Sequence, residues 1–401
     1  MNKEQVEIVV GGLLHDIGKV LYRGYDGRNH SQSGYDFLKN EVAIDSKSIL
    51  EQVHFHHKKL LSQSNINNKS AAYITYIADN IAAAADRRQK DDGEKVFQKD
   101  IPLSSVFNIL NGNKQDQHYE PKTLDISDGI NFPTNNEVKF SESFYNNLIA
   151  RIKASLDSIE WTKEYINSLL EIMEGYLSYI PSSTSKNELS DISLFDHVKI
   201  TAAIGSCIYE YLVAMKCDDY KKELLDNENE FYSKDAFLFL SCDVSGIQSF
   251  IYNLHSNEDV LKSLRARSFY LEIMVENLID DLLEKTNMSR ANLVYSGGGH
   301  CYLILPNTPF VEESINRFEK EFNHWLLEHF KTDLYIAFGY TKCCADDLIG
   351  KNRGEKDRDI KNIYAEVSRE LSDKKNRRYS AEDIIYLNNN RAGESERECK
   401  Y

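Results

Sequence analysis

The chain has 401 residues, 41% hydrophobic and 28% charged, with a formal net charge of −15. That length corresponds to roughly two to three ordinary domains, and that apolar share fills packed cores, which excludes a disordered chain. The acidic balance excludes a general nucleic-acid coat protein, whose phosphate binding needs a basic surface, but it suits a metal site built on carboxylates. No apolar run reaches the ~18–20 residues of a membrane helix. Met1–Gln5 sets acid ahead of an apolar stretch that carries Gly11-Gly12 and His15-Asp16, unlike a secretory signal. A soluble, cytoplasmic protein with no membrane association is expected. Of the seven cysteines, Cys207, Cys217, Cys242 and Cys301 sit in apolar segments and read as small core residues. Cys343-Cys344 are adjacent and Cys399 stands alone, so no disulfide framework is visible.

Helical spacing organises the first hundred residues. Val6, Val9, Val10, Leu13, Leu14 and Ile17 form one stripe ending near Gly18, and further helices are predicted at Tyr35–Leu38, Ile49–His57 and Ala71–Arg88. His30 falls in a predicted loop, and Ser62–Lys69 in another. Residues of about 90–145 are hydrophilic and broken by Pro102, Gly112, Pro121, Gly129 and Pro133, which suggests a connector with short strands or turns. Helical periodicity returns from Ser143 to about Lys222, interrupted at Pro181-Ser182-Ser183. At Ala236 the pattern changes: a buried strand, Phe237–Asp243, a helix from about Leu261 to Lys285, a hairpin around Gly297-Gly298-Gly299, a helix Val311–Phe330 and a strand Leu334–Gly339. That β-α-β-β-α-β order predicts a ferredoxin-like split arrangement, so the fold class is α+β.

The sharpest chemical pattern is Leu13-Leu14-His15-Asp16-Ile17-Gly18-Lys19. An adjacent imidazole and carboxylate on an apolar helix can share a metal ion. His30, the His54/His56/His57 group and Asp79 supply further ligands of the kind that suits first-row divalent metals. Asp79 and Asp86 share a helix face. Asp79 is preferred as ligand because it lies in an apolar stretch where a lone carboxylate is costly, and Asp86 beside Arg87-Arg88 as a salt-bridge partner. His56 is preferred over His54 and His57, which spacing does not separate. Lys19 is a candidate phosphate contact; a solvent-facing lysine is the other reading.

These residues resemble a known family. His15-Asp16, His30, His56 and Tyr73–Arg88 look like the permuted HD nuclease domain in the large subunit of a type III CRISPR effector, subtype A being the nearest fit. The likeness continues through Ser182-Ser183-Thr184, Asp191–Leu194, Asp243–Gln248 and Ser296–His300. The resemblance implies four regions: an all-α HD domain over 1–100, a connector and helical linker over 101–235, a first palm over 236–345, and over 346–401 the start of a helical, zinc-binding insert. It implies hydrolysis of single-stranded DNA, with His15 and Asp16 catalytic, Lys19 on phosphate, and His15, Asp16, His30, His56 and Asp79 holding Mn, Ni or Co in preference to Zn. It also implies a guide-RNA complex with other subunits, and target RNA as activator. In the complete family members ATP becomes cyclic oligoadenylate at a Gly-Gly-Asp-Asp turn of a second palm, which this sequence does not contain.

In the palm that is present, Gly299 and His300 take the places of the two carboxylates, so this palm is degenerate and nucleotidyl transfer is not expected of it. Ser245, Gly246, Ser296, Gly297 and Gly298 are candidate ATP contacts because their small side chains admit phosphates; a tight hairpin without ligand is the other reading. Arg265 and Arg267 are either contacts for nucleotide or RNA backbone or a solvated face. Two other functions fit the residues, a phosphodiesterase of small nucleotides and a non-enzymatic RNA–protein scaffold.

Overall fold

The computed structural model describes residues 1–86, 98–125, 127, 129–183, 185, 188–252, 259–350 and 358–389. The expected pairing of Asp86 with Arg87-Arg88, and Cys399, lie outside the described residues.

Six helices open the chain: α1 (Lys3–Leu14), α2 (Gly18–Arg23), α3 (His30–Asn40), α4 (Lys47–Phe55), α5 (Lys58–Gln63) and α6 (Ala72–Asp86). The side chains of Asn2, Asn29 and Ser46 cap α1, α3 and α4 by accepting a backbone N–H, which fixes where each helix begins. His30 is therefore the first residue of a helix and not a loop residue, because Asn29 ahead of it supplies the cap. The connector contains two short paired strands, β1 (Leu103–Ser104) and β2 (His118–Tyr119). Helices α7 (Glu142–Leu156), α8 (Ile166–Leu177), α9 (Leu194–Ala214) and α10 (Glu228–Tyr232) follow.

The main departure from the sequence reading is α9. Assigned there to a linker, it lies against both α1 and α6 in the first bundle. Small residues make the approach possible: a Cβ on Gly12 would come within 2.7 Å of the Ala202 backbone, and Gly205 lies against Ile8 and Ala78. The same helix reaches the palm, where Cys207 Sγ donates to the Ile304 carbonyl at 3.5 Å. One core of buried residues thus runs from Ala72–Ile81 through Ala203–Leu212 into the sheet.

That sheet is the second body. It comprises β3 (Phe237–Ser245), α11 (Ile247–Tyr252), α12 (Val260–Lys285), β4 (Leu293–Gly297), β5 (His300–Pro306), α13 (Pro309–Phe330) and β6 (Tyr335–Cys343). The strand order is β4-β5-β3-β6, antiparallel throughout, the ferredoxin-like order that the sequence predicts. Beyond it come α14 (Ala345–Ile349), α15 (Ile360–Asn376) and α16 (Ala381–Asn389). Ile363, Val367 and Leu371 of α15 enter the sheet's own core, and Gly339 of β6 lets the α15 backbone close in. Residues 360–376 thus pack on the palm sheet.

Gly246 has a structural reason to be glycine. Its φ is +95° and an added Cβ would sit 1.8 Å from the Asp333 carbonyl oxygen. Gly298, at φ +62°, faces open space. Gly246→Ala is expected to cost about 3 kcal/mol or more and Gly298→Ala about 1 kcal/mol, read from urea midpoints at constant m. Equal costs would refute the steric assignment.

Candidate metal centre and cleft

Helix α1 buries Val9, Val10, Leu13 and Leu14, which carries the following His15-Asp16 pair into the interior; the two are 0% and 1% exposed. His15 Nδ1 donates to the Gly12 carbonyl at 2.7 Å, so its Nε2 is the atom turned to the cluster. His56 repeats the arrangement, Nδ1 donating to the Val53 carbonyl at 2.8 Å. Gly18 is needed where α2 crosses α3: a Cβ there would sit 1.9 Å from the His30 carbonyl oxygen.

Four residues converge: His15, Asp16, Asp79 and His197 each offer one ligand atom, all within 4.8 Å of one another, and all are buried. His197 Nε2 is 3.2 Å from both Asp16 Oδ2 and Asp79 Oδ1. His15 Nε2 is 3.4 Å from Asp16 Oδ2 and 3.6 Å from Asp79 Oδ1, ion-pairing range without hydrogen-bond geometry. Beside them stands a second group, His30, His56 and His57. His30 Nε2 lies 2.8 Å from His57 Nε2 and 3.3 Å from His56 Nε2, and Asp16 Oδ1 joins the groups at 3.4 Å from His30 and 3.6 Å from His56. Every residue that the sequence singled out as a metal ligand is thereby brought to one place. His197 and His57 join them; His54 points elsewhere, stacked on Phe55 and near Tyr35.

The electrostatics are those of a carboxylate-bridged histidine cluster. Burial works against a charged His15, yet Asp16 and Asp79 outweigh it and hold the imidazolium up to about 9. Burial also raises the carboxyls, but Lys19 and the neighbouring histidines take Asp16 well below the ordinary carboxylate range, and His15 and His197 do the same for Asp79. Desolvation lowers His30 to about 4 and both His56 and His57 to about 3, leaving them neutral imidazoles at pH 7. Buried imidazole nitrogens and carboxylate oxygens, His15 Nε2 and Asp16 Oδ1 among them without hydrogen bonds, are a donor set that fits one or two divalent ions.

A cleft of about 580 Å³ opens onto Asp16, Asp79, His30 and His57. Lys19, whose Nζ is 2.5 Å from Asp16 Oδ2, supplies an ammonium at its wall, Arg28 there is paired with Asp26 and Asp36, and Ser182, Ser183 and Ser185 supply hydroxyls.

The palm candidates do not converge in that way. Asp243 Oδ2 is already paired with Lys375 Nζ at 2.6 Å and with His300 Nδ1 at 3.5 Å. Ser296 Oγ donates to Glu276 at 3.0 Å, Ser245 pairs in register with Tyr335, and Gly297 abuts the Tyr295 hydroxyl. Arg265 is exposed, while Arg267 donates to the Phe250 carbonyl at 2.6 Å.

A helical metal bundle joined to a ferredoxin-like palm defines the class, and comparison with known proteins narrows it. Residues 1–88 match the family described as HD domain, and residues 236–390 that described as Csm1 subunit domain B. The chain is 42% identical to the CRISPR system single-strand-specific deoxyribonuclease Cas10/Csm1 (subtype III-A) of Enterococcus italicus, over 100% of this chain and 54% of that protein. It is 40% identical to the protein of the same description from Mycobacterium tuberculosis, over 100% of this chain and 53% of the other. Among solved structures it resembles Csm1 of T. onnurineus, with TM-score 0.74 and 25% identity over 94% of this chain and 50% of that one. It also resembles a Csm1–Csm4 cassette in complex with cA3, with TM-score 0.72 and 25% identity over 94% and 49%. The chain is similar to the Cas10/Csm1 proteins of subtype III-A CRISPR systems, and it spans about half the length of the curated relatives it matches. Among the described residues no helix is long and apolar enough to cross a membrane.

Proposed function

We propose that this chain hydrolyses phosphodiester bonds in single-stranded DNA, within a type III-A effector that holds guide RNA and is activated by target RNA. The observation that carries the reading is the convergence of His15, Asp16, Asp79 and His197 within 4.8 Å at the base of an open cleft. Bound divalent ions, Mn, Ni or Co in preference to Zn, would activate water and neutralise charge developing on the phosphate. His15, Asp16, Asp79 and His197 would hold one ion, and His30, His56 and His57 a second. The Gly12 and Val53 carbonyls keep His15 and His56 in the tautomer that turns Nε2 inward. Lys19 leaves Asp16 for the substrate phosphate.

In the palm, Lys375 pairs with Asp243 and His300 lies against it, which supports a non-catalytic role. In the complete protein this palm would form half of an ATP site, with Ser245, Gly246, Ser296, Gly297 and Gly298 on its rim, for cyclic oligoadenylate synthesis by the other half. Relatives of this fold are described in complex with cA3 and with one ATP.

The test is cleavage of labelled single-stranded and duplex DNA with Mn²⁺, by the wild-type chain and by His15→Ala plus Asp16→Ala. Single-strand cutting that the double variant loses by about 10³-fold or more is expected. Hydrolysis of mononucleotides in preference to oligonucleotides would replace this reading with a small-nucleotide phosphodiesterase, and RNA or subunit binding without any metal-dependent cleavage would make the chain a scaffold.

A further inference from the structure

Arg23 ends α2 with its side chain completely buried; its guanidinium has the Tyr145 hydroxyl against it and Asp100 nearby, and its Nη atoms bond to backbone carbonyls. Nη1 donates to the carbonyls of Lys99 at 2.9 Å and Ile101 at 3.2 Å; Nη2 donates to those of Pro181 and Ser183, both at 3.3 Å. The two segments it joins are also tied to each other. Ser104 N–H donates to the Ser190 carbonyl at 2.8 Å, and Ser190 Oγ to the Pro102 carbonyl at 2.9 Å. The second segment then runs along Ser182, Ser183 and Ser185, which line the cleft together with Lys19.

Lys19 and Arg23 are one helical turn apart on α2, so a single short helix offers an ammonium to the cleft and a guanidinium to the backbone of the serine wall. We propose that Arg23 is a positioning residue for the substrate: it fixes the wall of Pro181, Ser182 and Ser183 at the distance from Lys19 and the metal cluster that a DNA sugar–phosphate backbone requires. This rests on the hydrolytic reading above. The planar fork of Arg spans two pairs of carbonyls at once; a lysine ammonium in the same place reaches fewer, and the Pro181 carbonyl, whose bond to Arg23 is buried, is the acceptor that loses most if it is left out.

The experiment uses the full chain with Arg23→Lys and Arg23→Met, and reads hydrogen exchange, Mn²⁺ affinity and kinetics on two substrates. One substrate is a labelled single-stranded oligonucleotide; the other is bis(p-nitrophenyl) phosphate, which needs the metal cluster but not the wall. In both variants faster exchange is expected in 98–105, 181–183 and 188–193, with α6 unchanged and Mn²⁺ affinity within about threefold of wild type. On the oligonucleotide kcat/KM should fall about tenfold or more, chiefly through KM, with the small diester within about threefold. Arg23→Lys should lose less than Arg23→Met. Unchanged DNA kinetics despite a loosened wall would overturn the proposal. So would a joint fall in metal affinity and both activities, the mark of a merely structural residue. If the wild-type chain cuts no DNA, the hydrolytic reading fails by itself, and hydrogen exchange still judges the clamp: unchanged protection of 181–183 and 188–193 in both variants refutes it.

Discussion

His197→Ala is expected to lower Mn²⁺ affinity by about two orders of magnitude and to reduce single-strand cleavage at least as far, while the fold persists. His197 Nε2 sits 3.2 Å from each of the two carboxylates that anchor the cluster, so its removal takes a ligand from the centre. The loss should stay local. Helix α9 is held by Leu194, Val198, Ala202, Ala203, Ile204 and Ile208, all within the cores, and by the Ser193 cap, which accepts the Asp196 N–H at 3.0 Å. His54→Ala is the matched control, a histidine of the same region whose ring stacks on Phe55 instead of facing the cluster. Calorimetric titration with Mn²⁺ separates the two variants. Wild-type affinity in His197→Ala would remove this residue from the site.

That His197 had to be found in three dimensions says what a sequence of this kind can and cannot reveal. His15-Asp16 was legible because two ligand-type residues adjoin on an apolar stripe, and Asp79 because a carboxylate interrupts an apolar helix. His197 adjoins Asp196, but that aspartate belongs to the first turn of its helix, where capping accounts for it. The available signal was fainter: His197 falls beside Leu194, Val198, Thr201 and Ala202, on a face that is otherwise buried. A buried histidine is more often a satisfied core residue, so spacing alone did not point to metal. Its role depends on α9 returning to α1 and α6, which Gly12 and Gly205 permit by omitting side chains at the crossings, a close approach that no local periodicity encodes. The same limit separates His56 from His57: adjacent residues face different ways on a regular helix, but α4 stops at Phe55, and beyond it both rings turn to His30. The palm was more legible, since its strands and helices follow one another in the order in which they assemble, and continuous apolar runs such as Phe237–Leu240 mark a central strand. What lies past it was not: α15 looks like a charged, solvated helix, and only Ile363, Val367 and Leu371 at helical spacing reveal the face that joins the sheet.

Stability of the metal-free protein is expected to peak near pH 6.5–7 and to fall on both sides, for opposite reasons. His15 has its pKa raised from 6.5 to about 9, against the cost of burial, by Asp16 and Asp79. The folded state therefore binds a proton that the unfolded chain gives up, and the stabilisation is complete below about 6.5 and gone once pH has risen through about 9, a change on the order of 3 kcal/mol. His30, His56 and His57 run the other way. Desolvation lowers them to about 4, 3 and 3, so below 6.5 the unfolded chain takes up protons that the folded one refuses, and stability declines with acid. The depressed carboxyls of Asp16 and Asp79 extend that acid loss to lower pH. Metal binding reverses the basic limb, because an ion needs His15 Nε2 without its proton: the melting-temperature gain from Mn²⁺ should grow as pH rises from about 6.5 to 9. Thermal melts in chelator and in Mn²⁺ across that range test both limbs, with His15→Gln as the informative variant. Its metal-free melting temperature should lose the decline above about pH 7 that wild type shows. A flat wild-type profile, or a decline that survives in His15→Gln, would mean that the carboxylates do not hold His15 protonated in the folded chain.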